Sequence, residues 1–452
     1  MIESLPLILF GIVFLLILLG YPVAFTLGGA SVLFGLAFLD NTLVFKLLPY
    51  RIFGIMNNQV MLAVPLFVYM GVMLEKSGLA ERMLETMALL FGRFRGGLAI
   101  SVLIVGALLA ASTGIVGATV ITMGLISLPV MLKRGYKTEL ATGIIASSGT
   151  LGQIIPPSIV LVLLATQLNV SVGDLFKAAV IPGLLLVGAY LLYLIGVAIF
   201  KPQNAPSMPK EEVAAFWGQS FKKRLEQSLL AFMLPMSLIV AVLGSIFAGL
   251  ASPTEAAAIG ALGATILMLV NRIRQGGFKK AIFSQVMQET TKITSMVFMI
   301  LIGATAFSLV FKWLGGDRYL TEIITDSALS PMAFLWLVMA VVFVAGFFID
   351  FIEIIFIVVP IIVPLFRNLG LHTELSMDFN SAMVWVGILL AMNLQTSFLT
   401  PPFGFSLFYL KGVAPPNVST PQIYRGILPF IAIQILFLGI LIAFPSLITL
   451  LL

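Results

Sequence analysis

Residues 4–39, 96–132, 140–173, 178–200, 379–410 and 426–452 contain no Asp, Glu, Lys or Arg. An apolar run of about 20 residues crosses the hydrocarbon core of a bilayer as one helix, and several of these runs are long enough for two crossings. Of the 452 residues, 60% are drawn from AVILMFWYC and 10% are charged, against roughly a quarter charged in a soluble domain, so the soluble globular class is excluded. The chain reads as an all-α polytopic membrane protein. Zero Cys removes disulfide frameworks, thiol redox chemistry and cysteine nucleophiles, and the single His372 leaves no histidine metal cluster. A net charge of +6 would hint at nucleic acid in a soluble domain. In this chain basic residues mark loops, and no nucleic-acid partner follows.

The interiors of these runs are uneven. Gly20, Tyr21 and Pro22 divide the first into two spans, and Glu3 stands where a signal peptide would carry basic residues, so both spans are read as retained. In 96–132 the small, polar stretch A-S-T-G-I-V-G-A-T, Ala111 to Thr119, separates two apolar arms and predicts a helical hairpin. In 139–167 the stretch S-S-G-T-L-G-Q-I-I-P-P-S, Ser147 to Ser158, must interrupt the backbone ladder at membrane depth and predicts a broken helix. A second hairpin is expected over 332–366, with its tip at Ala345 to Glu353, and a second broken helix over 383–410, interrupted between Asn393 and Phe405.

The second half repeats the first. Pro22 and Pro253, Gly29 and Gly260, and Pro129 and Pro360 are each 231 positions apart, and Gly71 and Gly303 are 232 apart. After an insertion around Leu371 to Ser381, Pro156 and Pro157 match Pro401 and Pro402 at 245, and Pro182 matches Pro429 at 247. Two repeats are therefore expected, 1–200 and 229–452, joined by an amphipathic linker, 201–228. Each holds five spans, one of them broken, plus a re-entrant hairpin. An odd number of crossings inverts the second repeat, and inverted repeats with discontinuous helices are a recurring architecture of secondary transporters. Counting cations by side places six of the 25 Lys and Arg with the N-terminus and 19 opposite. By the positive-inside rule both termini are outside, the first hairpin (96–132) enters from the cytoplasm and the second (332–366) from the periplasm.

The polar residues at the interruptions are the candidates for chemistry. Ser112, Thr113, Gly114 and Gly117 at the first tip, with Ser148, Gly149, Thr150 and Gly152 at the first break, combine hydroxyls with exposed backbone carbonyls, which suit sodium. Helix N-termini facing the same space attract a carboxylate. Close helix packing is the competing role for such small residues. At the second tip Asp350 and Glu353 are intramembrane carboxylates, which are costly enough to suggest an ion ligand or proton carrier, against the competing reading, the preferred one for Glu353, of a loop-apex carboxylate that reaches interfacial water. Gln395, Thr396, Ser397 and Thr400 supply the polar groups of the second break. Glu255, in S-P-T-E-A-A-A, reads as an ordinary helix start. No catalytic set emerges.

The succession V-P-L-F-V-Y-M-G from Val64, S-T-G-I-V-G-A-T at the tip, P-V-M-L-K-R-G-Y ending at Tyr136, G-T-L-G-Q-I-I-P-P-S from Gly149, L-F-K-A-A-V-I-P-G from Leu175 and S-P-T-E-A-A-A from Ser252 resembles the large membrane subunit of TRAP (tripartite ATP-independent periplasmic) transporters over nearly the whole chain. The resemblance implies an elevator-type, sodium-coupled importer of organic acids in the bacterial inner membrane. It implies two partners, a small four-helix membrane subunit and a periplasmic substrate-binding protein. No cofactor is implied beyond coupling sodium ions. It places one sodium site at Ser112, Thr113, Gly114, Gly149, Thr150 and Gly152 and another at Gly346, Asp350, Gln395, Thr396 and Thr400, leaving Ser148, Ser158 and Ser397 for the carboxylate substrate. Phe347 and Phe348 after Gly346 depart from the usual small-residue tip and resemble a branch linked to mannitol and chloroaromatic compounds. A standalone sodium- or proton-coupled carboxylate permease of the same superfamily is the alternative.

Overall fold

The computed structural model describes residues 4–39, 41–274, 280–327 and 329–452, and Lys279, counted above with the cytoplasmic cations, lies outside the described residues. Among the described residues there is no strand. The first run divides as expected into α1 (Leu5–Leu18) and α2 (Val23–Phe38), with Gly20 at φ +86° and Pro22 capping α2. Next comes α3 (Asn41–Met56), and then α4 (Ala63–Lys76), entered through a short turn that Asn58 caps by accepting from the Val60 N–H at 3.0 Å. The amphipathic α5 (Leu79–Phe91) buries Leu79, Ala80, Met83, Leu84, Met87 and Ala88, the one-sided pattern of a helix lying against a bundle.

The first hairpin is α6 (Gly97–Thr113) with α7 (Val116–Lys133), and the broken helix is α8 (Thr138–Thr150) with α9 (Ile159–Leu168). A 29-residue helix, α10 (Val172–Phe200), follows. The linker holds α11 (Lys210–Trp217), fixed beneath α5 by backbone bonds from Gly96 to Ala205 at 2.9 Å and from Met208 to Gly92 at 3.1 Å. The Arg93 and Arg224 guanidinium groups lie over the Trp217 ring at 4.5 and 4.8 Å. The charged end of the linker is continuous with the next span, α12 (Phe221–Phe247), because no Gly or Pro separates them.

In the second half α13 (Pro253–Arg274) begins with a reciprocal cap in which Ser252 N–H donates to Glu255 Oε2 at 2.8 Å, the helix start read from the sequence. It is followed by α14 (Lys280–Trp313) and the amphipathic α15 (Gly316–Asp326). The second hairpin is α16 (Pro331–Ala345) with α17 (Phe351–Leu369). After a one-turn α18 (Leu371–Glu374) come the two halves of a broken helix, α19 (Phe379–Leu399) and α20 (Phe405–Val413), then α21 (Thr420–Ala443) and a terminal turn, α22 (Ser446–Thr449). Nine helices among the described residues are long and apolar enough to cross a membrane.

Glycines set the closest helix approaches. A Cβ on Gly303 of α14 would run into the Ala24 carbonyl of α2, and one on Gly260 of α13 would run into the Met70 sulfur of α4. So α2 packs on α14 and α13 on α4, each through a small residue where backbones come together. The centre of the bundle is α19, buried throughout residues 382–399, with residues 140–150 of α8 buried beside it.

Candidate functional site

At the first tip α6 ends where Gly114 turns left-handed at φ +61° and its N–H closes on the Ala110 carbonyl at 2.9 Å, while Ile115 extends the chain into α7. That conformation is strained for a residue with a Cβ. The Thr113 and Thr119 hydroxyls meet across the turn at 2.8 Å, and Ser112 Oγ donates to the Leu109 carbonyl at 2.9 Å. The first break runs from Thr150 through a 3₁₀ turn, Leu151–Gln153, and a bend over 154–157 to Ser158, the extended cap of α9. It is clamped by the hairpin: a Cβ on Gly149 would strike the Val120 side chain and one on Gly152 the Ala110 carbonyl. The structure thus packs the arms of the first hairpin, at Ala110 and Val120, onto the first break, with Gly149 and Gly152 serving close packing and Gly114 set against Ile159.

The second tip turns at Gly346 to Ile349, and Asp350 caps α17. The cap is reciprocal: Phe351 N–H donates to Asp350 Oδ1 at 2.6 Å and Asp350 N–H donates to Glu353 Oε2 at 3.1 Å. Gly346 packs on the Ser397 hydroxyl of α19. Ring contacts between Phe348 and Phe403 at 5.4 Å and between Phe351 and Phe398 at 5.8 Å fasten the tip to the second break. Phe348, the departure from a small-residue tip, is part of that fastening. Asp350 hydrogen-bonds to neither Gln395 nor Thr396.

Hydroxyls at the two breaks behave alike. Thr150 Oγ1 donates to the Ser147 carbonyl at 2.9 Å, Thr396 Oγ1 to Met392 at 2.8 Å and Thr400 Oγ1 to Thr396 at 2.7 Å. Each proton is committed to the helix, so the oxygen lone pairs remain as acceptors, the property a cation requires. Ser158 Oγ donates to the Gln153 carbonyl and Ser406 Oγ to the Phe398 carbonyl, both at 2.9 Å, closing the far side of each break. The Pro156–Pro157 and Pro401–Pro402 bonds are both cis. Beside the breaks, Gln153 and Gln395 are fully buried, and neither amide has a hydrogen-bond partner among the described residues. Gln395 was expected; Gln153, inside the quoted motif, was not singled out, although a buried amide between glycine and the Pro pair is itself a signal.

Between the two tips lies a cavity of about 540 Å³. Gly114 to Ala118 of the first tip and Asp350 to Ile352 of the second line it, with Phe398 and Tyr409 closing one wall. Its mouth carries Glu75 and Lys76 from the end of α4 and Glu289 and Lys292 from α14. Lys76 pairs with Glu289 at 3.1 Å, and Glu75 accepts from Thr122 of α7 at 3.0 Å. Lys76 and Lys292 enter the sequence reading only through the count of cations by side, and Glu75 and Glu289 carry no local signal in the sequence. Of the residues expected to contact substrate, Ser148, Ser158 and Ser397 are fully buried and donate to carbonyls of their own breaks or helices, whereas the cavity is lined by other residues of the tips. Motifs locate the end of a helix; they do not tell which face of it meets open space.

Residues 10–447 match the family model described as Tripartite ATP-independent periplasmic transporter, DctM component. The chain is 30% identical to the C4-dicarboxylate TRAP transporter large permease protein DctM of Vibrio cholerae, over 97% of this chain and 95% of that one. It is 28% identical to the sialic acid TRAP transporter large permease protein SiaM of the same organism, over 95% and 94%. Its backbone also follows the crystal structure of the Alcanivorax borkumensis YdaH transporter, with a TM-score of 0.58 at 15% identity over 90% of each chain, a likeness of fold. These relatives are transport proteins and not enzymes. A multi-pass helical chain with two hairpins meeting at a shared cavity, matched over nearly its whole length, belongs to the DctM component family of tripartite ATP-independent periplasmic transporters, as a large permease subunit.

Proposed function

We propose that this chain is the transport subunit of a sodium-coupled importer that carries an organic carboxylate across the bacterial inner membrane. The observation that carries the reading is the cavity between the tips, in which Gly114 and Asp350 share a wall while Gln153 and Gln395 are buried without partners at the two breaks. A small cation stripped of water needs several oxygens at once, and at membrane depth helix ends with Ser, Thr or Asp beside them supply these. The substrate carboxylate sits in the same cavity. Lys292, exposed at its mouth and in no ion pair among the described residues, offers the opposite charge.

The chain is two inverted repeats, 1–200 and 229–452. Supporting this, α2 packs on α14 and α13 on α4, a pairing that maps onto itself when the helices bearing Pro22 and Pro253, and those bearing Gly71 and Gly303, are exchanged. Both termini are periplasmic, and transport moves the tips and breaks past a static remainder as an elevator. The word tripartite in the family's description supports two further components: the small membrane subunit, and the periplasmic binding protein that delivers substrate.

Uptake of labelled C4-dicarboxylates and sugar acids into proteoliposomes tests this. Little uptake is expected with the chain alone and saturable, sodium-dependent uptake with both partners. Full uptake by the chain alone would favour the standalone permease.

A further inference from the structure

A second cavity, of about 580 Å³, opens where the start of α8, the end of α10 and the first turns of α21 come together. No residue of either tip or break lines it. We propose that it binds an anionic phospholipid, whose phosphate is held by Lys137, Lys201 and Arg425 and whose acyl chains lie along α10.

Each of the three cations comes from a different helix end: Lys137 caps the start of α8, Lys201 the end of α10, and Arg425 is in the second turn of α21. Against them stands one carboxylate, Glu139, 3.9 Å from Lys137. Lys201 and Arg425 form no ion pair among the described residues. The pocket therefore keeps an excess of positive charge, and the start of α8 adds its backbone N–H groups on the same side.

The remaining walls are apolar. A Cβ on Gly143 of α8 would strike the Gly426 carbonyl of α21, so these two helices touch there, and the space beyond the contact is bounded by Tyr193, Val197 and Phe200. Continuing outward from the pocket, Leu192, Ile199 and Phe200 of α10 are 71%, 66% and 82% exposed, and Leu428 of α21 is 56% exposed. A soluble anion would use the cations and leave this apolar strip idle. A phospholipid uses both: a headgroup at the helix ends, where long cationic side chains reach the interface, and tails along the strip. Under the orientation proposed above the leaflet is the cytoplasmic one, but the chemistry of the pocket does not rest on that assignment.

The test is native mass spectrometry of the purified transporter assembly titrated with phosphatidylglycerol or phosphatidylcholine of matched chains. Phosphatidylglycerol should be retained about tenfold more tightly, and the K201Q/R425Q double variant should abolish that preference. Gly196 lines the cavity and a Cβ there would meet nothing within 4 Å, so Gly196→Phe should block phosphatidylglycerol without disturbing the fold. Equal retention of the two lipids, or unchanged preference in both variants, would overturn the proposal. So would displacement of the lipid by millimolar glycerol 3-phosphate, which marks a soluble-anion site, or efficient cross-linking of Gly196→Cys to the small subunit, which marks a protein contact.

Discussion

Gly114 and Asp350 occupy the turns of two separate hairpins and line one cavity. The two turns are made differently. Gly114 supplies a left-handed backbone, whereas Asp350 supplies a side-chain cap whose Oδ1 accepts from Phe351 N–H. The Asp350 carboxylate is thus part of the cap of α17 while its residue lines the cavity. Asp350→Ala should cost about 1 kcal/mol through the lost cap, while Asp350→Asn keeps an acceptor and should unfold within a degree or two of the parent. Thermal unfolding of the purified assembly separates these outcomes, and equal destabilisation would remove the cap from the account.

A Cβ on Gly71 of α4 would enter the backbone of Thr113, the last residue before the first tip, whereas one on Gly188 of α10 would meet nothing within 4 Å. Gly71→Ala should therefore destabilise by about 1–3 kcal/mol and reduce uptake, and Gly188→Ala should leave both unchanged. Denaturation and uptake measured on the same preparations check this pair.

Tyr190 and Gln434 tie α10 to α21, the Gln434 amide donating to the Tyr190 hydroxyl at 2.7 Å with both residues fully buried. Tyr190→Phe keeps the ring against Phe430, at 5.1 Å in the parent, but leaves the amide without an acceptor. The expected loss is about 1–3 kcal/mol, read as a lower unfolding temperature. A variant as stable as the parent would show that the amide finds another acceptor.

The proposed inversion makes a topological prediction. Because the chain has no Cys, single substitutions report sidedness directly. Lys133→Cys should react with an impermeant thiol reagent only from the cytoplasm, and Asp317→Cys and His372→Cys only from the periplasm. Cytoplasmic labelling of Asp317→Cys would sink the inverted arrangement.

The hairpins and breaks were legible because Gly, Pro, Ser and Thr inside an apolar run have few other uses; the observed tips fall within the quoted stretches at Ala111 to Thr119 and Ala345 to Glu353. The start of α13 at Ser252 and Glu255 was legible for the same local reason. What the chain hid were long-range meetings. Lys76 and Glu289 pair across two helices far apart in sequence, and no local pattern announces that. Nor did the sequence reveal α15, where Asp317, Arg318 and Glu322 mask an amphipathic helix. Ser148 and Ser397, named as substrate contacts from the resemblance, each pack against a glycine of a hairpin, Gly106 and Gly346 respectively, a contact no local motif announces. Small residues at a break serve both packing and binding, and only the direction of each side chain separates the two.

The central claim, that sodium and substrate are coupled through the two breaks, is tested most directly by sodium-titrated uptake in proteoliposomes holding the whole assembly. Thr150→Val preserves volume and removes the hydroxyl that donates to Ser147; Asp350→Asn removes the charge at the second tip. Each should raise the sodium concentration for half-maximal uptake, and by linkage substrate should tighten sodium binding by the same factor that sodium tightens substrate. Uptake driven equally well by a proton gradient without sodium would contradict the coupling ion, and unchanged sodium dependence in both variants would contradict the placement of the sites.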